Sequence, residues 1–328
     1  MNLKNIIKPT REKLFLLVGL FIIAGVFLLA SGNKNGAIQS SNVVADPSLV
    51  KKHLTVLTQT PQFRNHKNID QLNAVADYIH QTFATYGDST TFQEYKVDGK
   101  VYKNVITSFG PENAKRIIIG AHYDVCGDQQ GADDNATGVT ALLELARMLK
   151  GQKLNYRVDL VAYTLEEPPY FRTENMGSYI HAKYLKDSKI DVYGMASVEM
   201  IGYFSDEKNS QSFPVGILSW VYGDQGDFIT LVKKMTGAGP FVRNFIGNFK
   251  DSKQIKTETF SAPKFVAGID YSDHLNYWNF DIPALMITDT SFFRNKNYHE
   301  TTDTLETLDT KRMTKVIDAI FLSIIHLK

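Results

Sequence analysis

The sequence contains very little cysteine, with Cys126 as the single such residue among 328. One thiol cannot form a disulfide within the chain, and it cannot supply the several cysteines that structural zinc and iron–sulfur sites use. A metal site in this protein is therefore expected to be built from His, Asp and Glu. Cys126 itself is interpreted as a small buried residue without a role.

The chain also lacks an excess of charge of one sign. Thirty-six Lys and Arg residues against 35 Asp and Glu residues leave a formal net charge of +1, so a broad basic surface for nucleic acid is excluded. The share of hydrophobic residues, 43%, and that of charged residues, 22%, are ordinary for a globular protein. This composition excludes a disordered chain, a collagen-like fibre and a membrane protein with many spans.

One long apolar run is present, at residues 14–30, and it contains no charged residue. As a helix its 17 residues would rise about 25 Å, close to the roughly 30 Å thickness of a bilayer's hydrocarbon core. The basic flank, residues 1–13, is expected to stay in the cytoplasm, which sends the linker at 31–45 and the remaining chain outward. A single membrane anchor and a cleaved signal peptide both stay open. Both imply export.

Residues 46–328 are predicted to form one domain in which strands and helices alternate. Strands are predicted at 101–109, 116–124, 156–165, 193–201, 214–221 and 282–288. Helices are predicted at 72–83, 137–149, 178–185 and 310–327. Apolar strands separated by helices indicate an α/β fold with a mostly parallel sheet covered on both faces. In such sheets ligands bind beyond the carboxyl ends of the strands.

Residues of the types that bind metals follow the first of these strands. His122 can donate an imidazole nitrogen, and Asp124 can hold the other ring nitrogen, although an ordinary buried His–Asp pair explains them equally well. Asp133 and Asp134 precede the helix at 137–149. They either cap that helix or provide a carboxylate whose two oxygens bridge two cations.

Further candidates follow the later strands. Glu166 and Glu167 are adjacent, so on an extended chain their side chains point to opposite sides; one can bind a metal while the other faces a bound water. A solvated surface pair is the alternative. Glu199 interrupts an apolar strand, which exposure at the strand end would also explain. Tyr298 and His299 follow the last strand, where a lone histidine is usually just exposed. Each signal is weak by itself.

In this order, however, the fragments resemble the zinc aminopeptidases of peptidase family M28. The matching fragments are His-x-Asp, Gly-Ala-x-Asp-Asn-x-x-Gly, Glu-Glu, acid-x-Ile-Gly and Tyr-His-x-x-x-Asp-Thr. The similarity extends over about residues 104–308 and includes Ser-Asp-His at 272–274 and Ile-Pro-Ala at 282–284. It implies a phosphorylase/hydrolase-like three-layer sandwich, with a mixed, mainly parallel sheet, helices on both faces and two zinc ions.

The resemblance also implies a ligand set. Asp134 is expected to bridge the two zinc ions. His122 and Glu199 are expected to complete one site, and Glu167 and His299 the other. Many family members carry Asp at the position of Glu199, so the longer side chain is a departure from the family pattern.

By the same resemblance Glu166 is expected to be the general base and Asp124 the residue that orients His122. Tyr298 is expected to stabilise the oxyanion. Asp133 is the neighbouring alternative to the bridging carboxylate, but the Asp-Asn step favours the later residue.

The expected activity is that of an exported zinc-dependent aminopeptidase acting on peptides. Two alternatives of the same fold stay open: a glutaminyl cyclase-like enzyme with one zinc ion, and a non-catalytic domain that has lost ligands or the base. A cyclase would be favoured by loss of the first metal site and by Trp before the last ligand. His122 and Tyr298 argue against it.

The loop at 168–176 replaces a Gly-containing turn of the family, so the resemblance predicts no preference for the side chain of the substrate's N-terminal residue.

Overall fold

The structure is a computed structural model that describes residues 38, 40–263 and 266–328. The chain divides into two units, residues 1–36 and residues 37–328, and every described residue belongs to the second. The apolar run at 14–30, with the predicted anchor or signal segment, lies outside the described residues. Within the described part, no helix is both long enough and apolar enough to cross a bilayer.

In the described residues, eight strands form one sheet with the order β1-β2-β4-β3-β5-β8-β6-β7. The strands are β1 (Ser89–Val97), β2 (Lys100–Phe109), β3 (Arg116–His122), β4 (Arg157–Tyr163), β5 (Val192–Val198), β6 (Ile229–Lys234), β7 (Thr257–Ala262) and β8 (Ala284–Thr288). The central strands β4, β3, β5 and β8 run parallel, whereas β1 with β2, β2 with β4 and β6 with β8 are antiparallel. The predicted mixed, mainly parallel sheet is confirmed.

The strand β3 shows why the central strands form where they do. Ile117, Ile118 and Ile119 follow one another and are all fully buried. Successive side chains of a strand point to opposite faces, and Ile117 and Ile119 accordingly join one hydrophobic cluster while Ile118 joins the other. A continuous run of β-branched residues is therefore explained by a strand that is covered on both sides.

Helices cover both faces of this sheet. Their bounds in the described residues are α1 (Pro47–Thr58), α2 (Ile69–Ala84), α3 (Gly138–Leu149), α4 (Gly177–Asp187), α5 (Ser219–Tyr222), α6 (Gly239–Asp251), α7 (His274–Asn279) and α8 (Thr310–Ile325). Side chains of α1, α2, α3, α6 and α8 belong to the larger hydrophobic cluster, and those of α4 and α7 belong to the smaller one. The predicted three layers are thus confirmed.

One predicted strand, 214–221, is wrong. The segment forms a 3₁₀ turn at Gly216–Leu218 and the four-residue helix α5. Its Val, Ile and Trp residues are typical of strands, but Trp220 is 90% exposed. Instead β6 lies beside β8, and Thr230 of β6 is paired with Thr288 of β8. Local β propensity does not make a strand here, because the apolar side chains of this segment are largely exposed, Ile217 by 50% and Val221 by 57%.

Three predicted strands are also too long at their carboxyl ends. They end at His122, Tyr163 and Val198 rather than at 124, 165 and 201. The polar candidates Asp124, Glu166 and Glu199 consequently lie in the loops just beyond the sheet, at the edge where ligands of parallel sheets bind.

Candidate metal centre

Sharp turns of the chain directly after the central strands position the acidic residues. Leu165, before Glu166, and Met200, after Glu199, both adopt left-handed backbone conformations, with φ of 60° and 49°. Neither is glycine, so each conformation is strained, and such strain clusters at functional sites. The turns carry both glutamates toward the end of β3, where His122 lies.

Asp134 stands between the two histidines. It lies in an irregular turn, Ala132–Thr137, ahead of α3. Its Oδ1 is 3.3 Å from Nε2 of His122 and its Oδ2 is 3.2 Å from Nε2 of His299. Oε2 of Glu199 is 3.3 Å from the same nitrogen of His122, and Oε2 of Glu167 is 3.3 Å from that of His299. Two groups of three donors therefore share one carboxylate, each through a different oxygen.

The spacing and chemistry of these donors fit a pair of divalent cations. Nitrogen and oxygen ligands of a tetrahedral zinc ion lie about 3.3 Å from one another, which is the separation found here between each imidazole nitrogen and its carboxylate oxygens. Oε1 of Glu167 is buried and makes no hydrogen bond to any described residue. Buried polar atoms are normally paired, so this oxygen is free to bind an ion. Mixed imidazole and carboxylate donors suit zinc.

The buried carboxylates of the site also require a positive charge or a proton nearby. Burial raises the pKa of Glu166 well above its usual range, although the nearby His122 opposes this. Burial raises the pKa of Glu167 to about 7. Burial acts in the same direction on Asp134, but the imidazoles of His122 and His299 outweigh it and hold the pKa of that carboxyl well below its usual range. Carboxylates crowded in a buried site are stable only with a cation or a proton.

Asp124 contacts more of the site than was predicted. Its Oδ1 is 3.6 Å from Nδ1 of His122, while its own carbonyl oxygen is closer to that nitrogen, at 3.2 Å. Its carboxylate also accepts hydrogen bonds from the backbone amides of Glu166, at 3.2 Å, and Glu167, at 3.1 Å. One carboxylate thus connects the end of β3 to the glutamate pair that follows β4.

Glu166 and Tyr298, the other predicted catalytic residues, line the cavity that opens onto these donors. Oε2 of Glu166 is 4.0 Å from Nε2 of His122. The ring of Tyr298 stacks on that of His299, with centroids 3.8 Å apart. Burial, reinforced by the surrounding carboxylates, raises the pKa of Tyr298 far above its usual range. Its hydroxyl therefore keeps its proton and is available as a hydrogen-bond donor.

Two residues that support the ligands were assigned no role from the sequence. Oγ of Ser272 donates a hydrogen bond of 2.7 Å to Oε2 of Glu199. The carboxylate of Asp303 accepts the backbone amides of Asp133, at 2.9 Å, and Asp134, at 3.1 Å. Both supporting residues stand inside the family motifs, and that position is the one signal in the sequence that pointed to them.

Arg64 is a third support, and nothing in the sequence indicated it. Its side chain is 1% exposed and donates to the backbone carbonyls of Gln130 and Gly131, directly before the turn that carries Asp134. Burial lowers its pKa to about 10, so it stays charged at neutral pH. This buried cation anchors the loop between β3 and the turn that carries Asp134.

Replacing Asp303 by Asn is expected to weaken metal binding about 10- to 100-fold, the range typical of lost outer contacts in metal sites. An amide has one acceptor oxygen, so its NH₂ group would face one of the two backbone N–H groups that the carboxylate now accepts. The turn that carries Asp134 would then shift. Zinc titration of the full-length protein in detergent measures the effect, and Asp70→Asn, on an exposed helix position, is the control. Equal affinity in both variants would contradict this role.

The sequence model of peptidase family M28 matches residues 104–324. The YfbL protein of Escherichia coli K12 is 42% identical over 312 residues, which cover 92% of this chain and 95% of YfbL.

Two solved structures share the fold. The LapA aminopeptidase of Legionella pneumophila has a TM-score of 0.66 at 20% identity, covering 90% of this chain and 79% of LapA. The glutaminyl cyclase of Bacteroides thetaiotaomicron, bound to N-acetylhistamine, has a TM-score of 0.67 at 17% identity, covering 89% of this chain and all of the cyclase. At these identities the likeness concerns the fold. The match to the family model covers most of the chain, including every strand-end donor described above, and this protein belongs to peptidase family M28.

Proposed function

We propose that this protein is an exported zinc-dependent aminopeptidase that removes N-terminal residues from peptides. The observation that carries the proposal is the pair of three-donor groups that share Asp134 at one end of an apolar cavity. Export is proposed from the sequence, because residues 14–30 form an uncharged apolar run behind a basic flank.

The donors would divide between two cations. His122 and Glu199 would hold one with Oδ1 of Asp134, and Glu167 and His299 would hold the other with Oδ2. Zinc ions bound there would lower the pKa of a water molecule and polarise the carbonyl of the peptide bond to be cleaved. Asp124 holds the ends of β3 and β4 together, so both groups of donors keep their separation.

Glu166 is proposed as the general base. Each cation already has three donors without it, and its side chain lines the cavity. Its raised pKa suits a group that takes a proton from the attacking water and returns it to the leaving amine. Tyr298 is proposed to donate a hydrogen bond to the carbonyl oxygen as negative charge develops there.

The cavity beside these donors favours an apolar side chain. It has a volume of about 230 Å³, and Val232 and Met286 of β6 and β8 lie in its wall. Besides Tyr298, its aromatic lining consists of Phe171, Phe213, Phe260, Tyr271, Phe292 and Phe293. Its acidic end, at Glu166 and Glu167, attracts the positively charged amino group of a peptide. We infer that the N-terminal residue of the substrate is aliphatic or aromatic.

The full-length protein, purified in detergent with zinc, is expected to release arylamine from leucyl- and phenylalanyl-arylamides. Its kcat/KM for these substrates should exceed that for lysyl- and glutamyl-arylamides at least about tenfold, because the apolar wall cannot pair a buried charge. A chelator should abolish the release and added zinc restore it. A peptide with N-terminal Gln is tested beside them. If that Gln cyclised and no arylamide were hydrolysed, the cyclase activity would replace the proposal. If the protein bound two zinc ions and catalysed neither reaction, both activities would be contradicted for these substrates.

A further inference from the structure

The proposed mechanism leaves Cys126 unused, although the fold holds it at the edge of the metal centre. The residue lies between β3 and the turn of Asp134, and it is half-buried rather than buried as expected from the sequence. The amide of Val125 donates to the carbonyl of Arg64 at 3.1 Å, and Nδ2 of Asn65 donates to the carbonyl of Gly127 at 2.6 Å. Both neighbours of Cys126 are thus anchored, so its position is set by the fold.

The thiol faces one half of the centre. Its Sγ, a carboxylate oxygen of Glu167 and a ring nitrogen of His299 all lie within 4.8 Å of one another. Sulfur and nitrogen ligands of one tetrahedral zinc ion lie about 3.6 Å apart, so a side-chain shift of at most about 1.2 Å would bring the three atoms to ligand distances. His299 is held in a left-handed backbone conformation, with φ of 59°, a strained geometry of the kind found at ligand sites.

A second observation marks the same place as a cation site. Glu167 is 4% exposed, and its Oε1 has no hydrogen-bond partner among the described residues. A buried carboxylate oxygen without a partner is costly unless an ion compensates it. The unpaired oxygen, the imidazole and the thiol therefore mark one position for a cation.

We propose that the Cys126 thiolate is a direct ligand of the cation held by Glu167 and His299. The inference rests on the metal centre of the proposed function and adds a sulfur donor to one half of it. When the metal binds, the thiol gives its proton to solvent and a sulfur–metal bond forms. Because thiolates select softer ions, this half of the centre favours zinc over manganese, whereas the half at His122 and Glu199 has nitrogen and oxygen donors.

Cobalt substitution tests the inference directly. The full-length protein is stripped of metal and reloaded with Co²⁺ in a thiol-free buffer. Because the chain contains one cysteine, any sulfur-to-cobalt charge-transfer band in the near ultraviolet arises from Cys126. The band is expected in the unaltered protein and absent in Cys126→Ser, which keeps the visible cobalt bands. One of the two cobalt ions should bind to Cys126→Ser at least about 10-fold more weakly than to the unaltered protein. Loss of a contact outside the ligand set already weakens metal binding by that factor.

Thiol labelling of the unaltered protein provides a measurement independent of the variant. A chromogenic disulfide reagent should react with Cys126 in the metal-free protein, and zinc should slow the reaction at least about tenfold, since the metal-bound sulfur is no longer a free nucleophile. Visible cobalt bands without a charge-transfer band, or labelling unchanged by zinc, would overturn the inference and leave the proposed centre intact. Absence of any cobalt uptake would overturn both.

Discussion

Replacing Glu166 by Gln is expected to lower kcat about 100-fold or more, the usual contribution of a positioned general base, while both cations stay bound. The amide keeps the shape of the side chain but cannot accept the proton of the attacking water. Glu166 is not among the donors that share Asp134, so the stoichiometry of zinc should not change. Steady-state kinetics on leucyl-arylamide and metal analysis of the same full-length preparation measure the two effects separately.

Glu112→Gln provides the matched control, because it makes the same substitution at an exposed position. Its kcat should equal that of the unaltered protein. If Glu166→Gln retained near-normal kcat, the base would have to be sought elsewhere. If it lost a zinc ion instead, Glu166 would be a ligand, which its 4.0 Å distance from Nε2 of His122 also permits.

Replacing Asp134 by Ala is expected to remove both cations and the activity together. Its two oxygens face His122 and His299 separately, at 3.3 and 3.2 Å, so the substitution takes one donor from each group of three. The loss of affinity should exceed the 10- to 100-fold that outer contacts contribute. Zinc content after dialysis and the rate on leucyl-arylamide are the measurements.

Asp70→Ala, at an exposed position of α2, serves as the control and should bind two zinc ions. Retention of two tightly bound ions by Asp134→Ala would show that the carboxylate does not bridge them. Retention of one zinc ion would show that the carboxylate of Asp134 binds a single cation. Circular dichroism of each variant distinguishes loss of metal from loss of fold.

The types of the site residues were evident from the sequence because each follows an apolar strand that could be recognised locally. Runs such as Ile117–Ile119 predicted buried strands, and parallel strands bring their carboxyl ends to one edge. His122 and the acids at 134, 166, 167 and 199 were accordingly expected together, and the structure brings them together. The wrongly predicted strand at 214–221 shows the limit of this reasoning, because an apolar segment can also lie at the surface, as Trp220 does.

The supports of the site could not be predicted in the same way, because their contacts join distant parts of the chain. Ser272 lies 73 residues from Glu199, and Asp303 lies 169 residues from Asp134. Arg64 donates to carbonyls 66 and 67 residues away. Backbone amides and carbonyls are present at every position, so no residue pattern marks which of them will meet a given side chain.

The sequence by itself determined the fold class, the family and the set of candidate ligand residues, since hydrophobic periodicity and the order of acids and histidines are local properties. The tertiary structure alone decided that the two oxygens of Asp134 face different histidines, that aromatic side chains close an apolar cavity beside them, and that Cys126 lies against Glu167 and His299. These are relations between loops far apart in the chain, and packing, not local propensity, sets the distances between them.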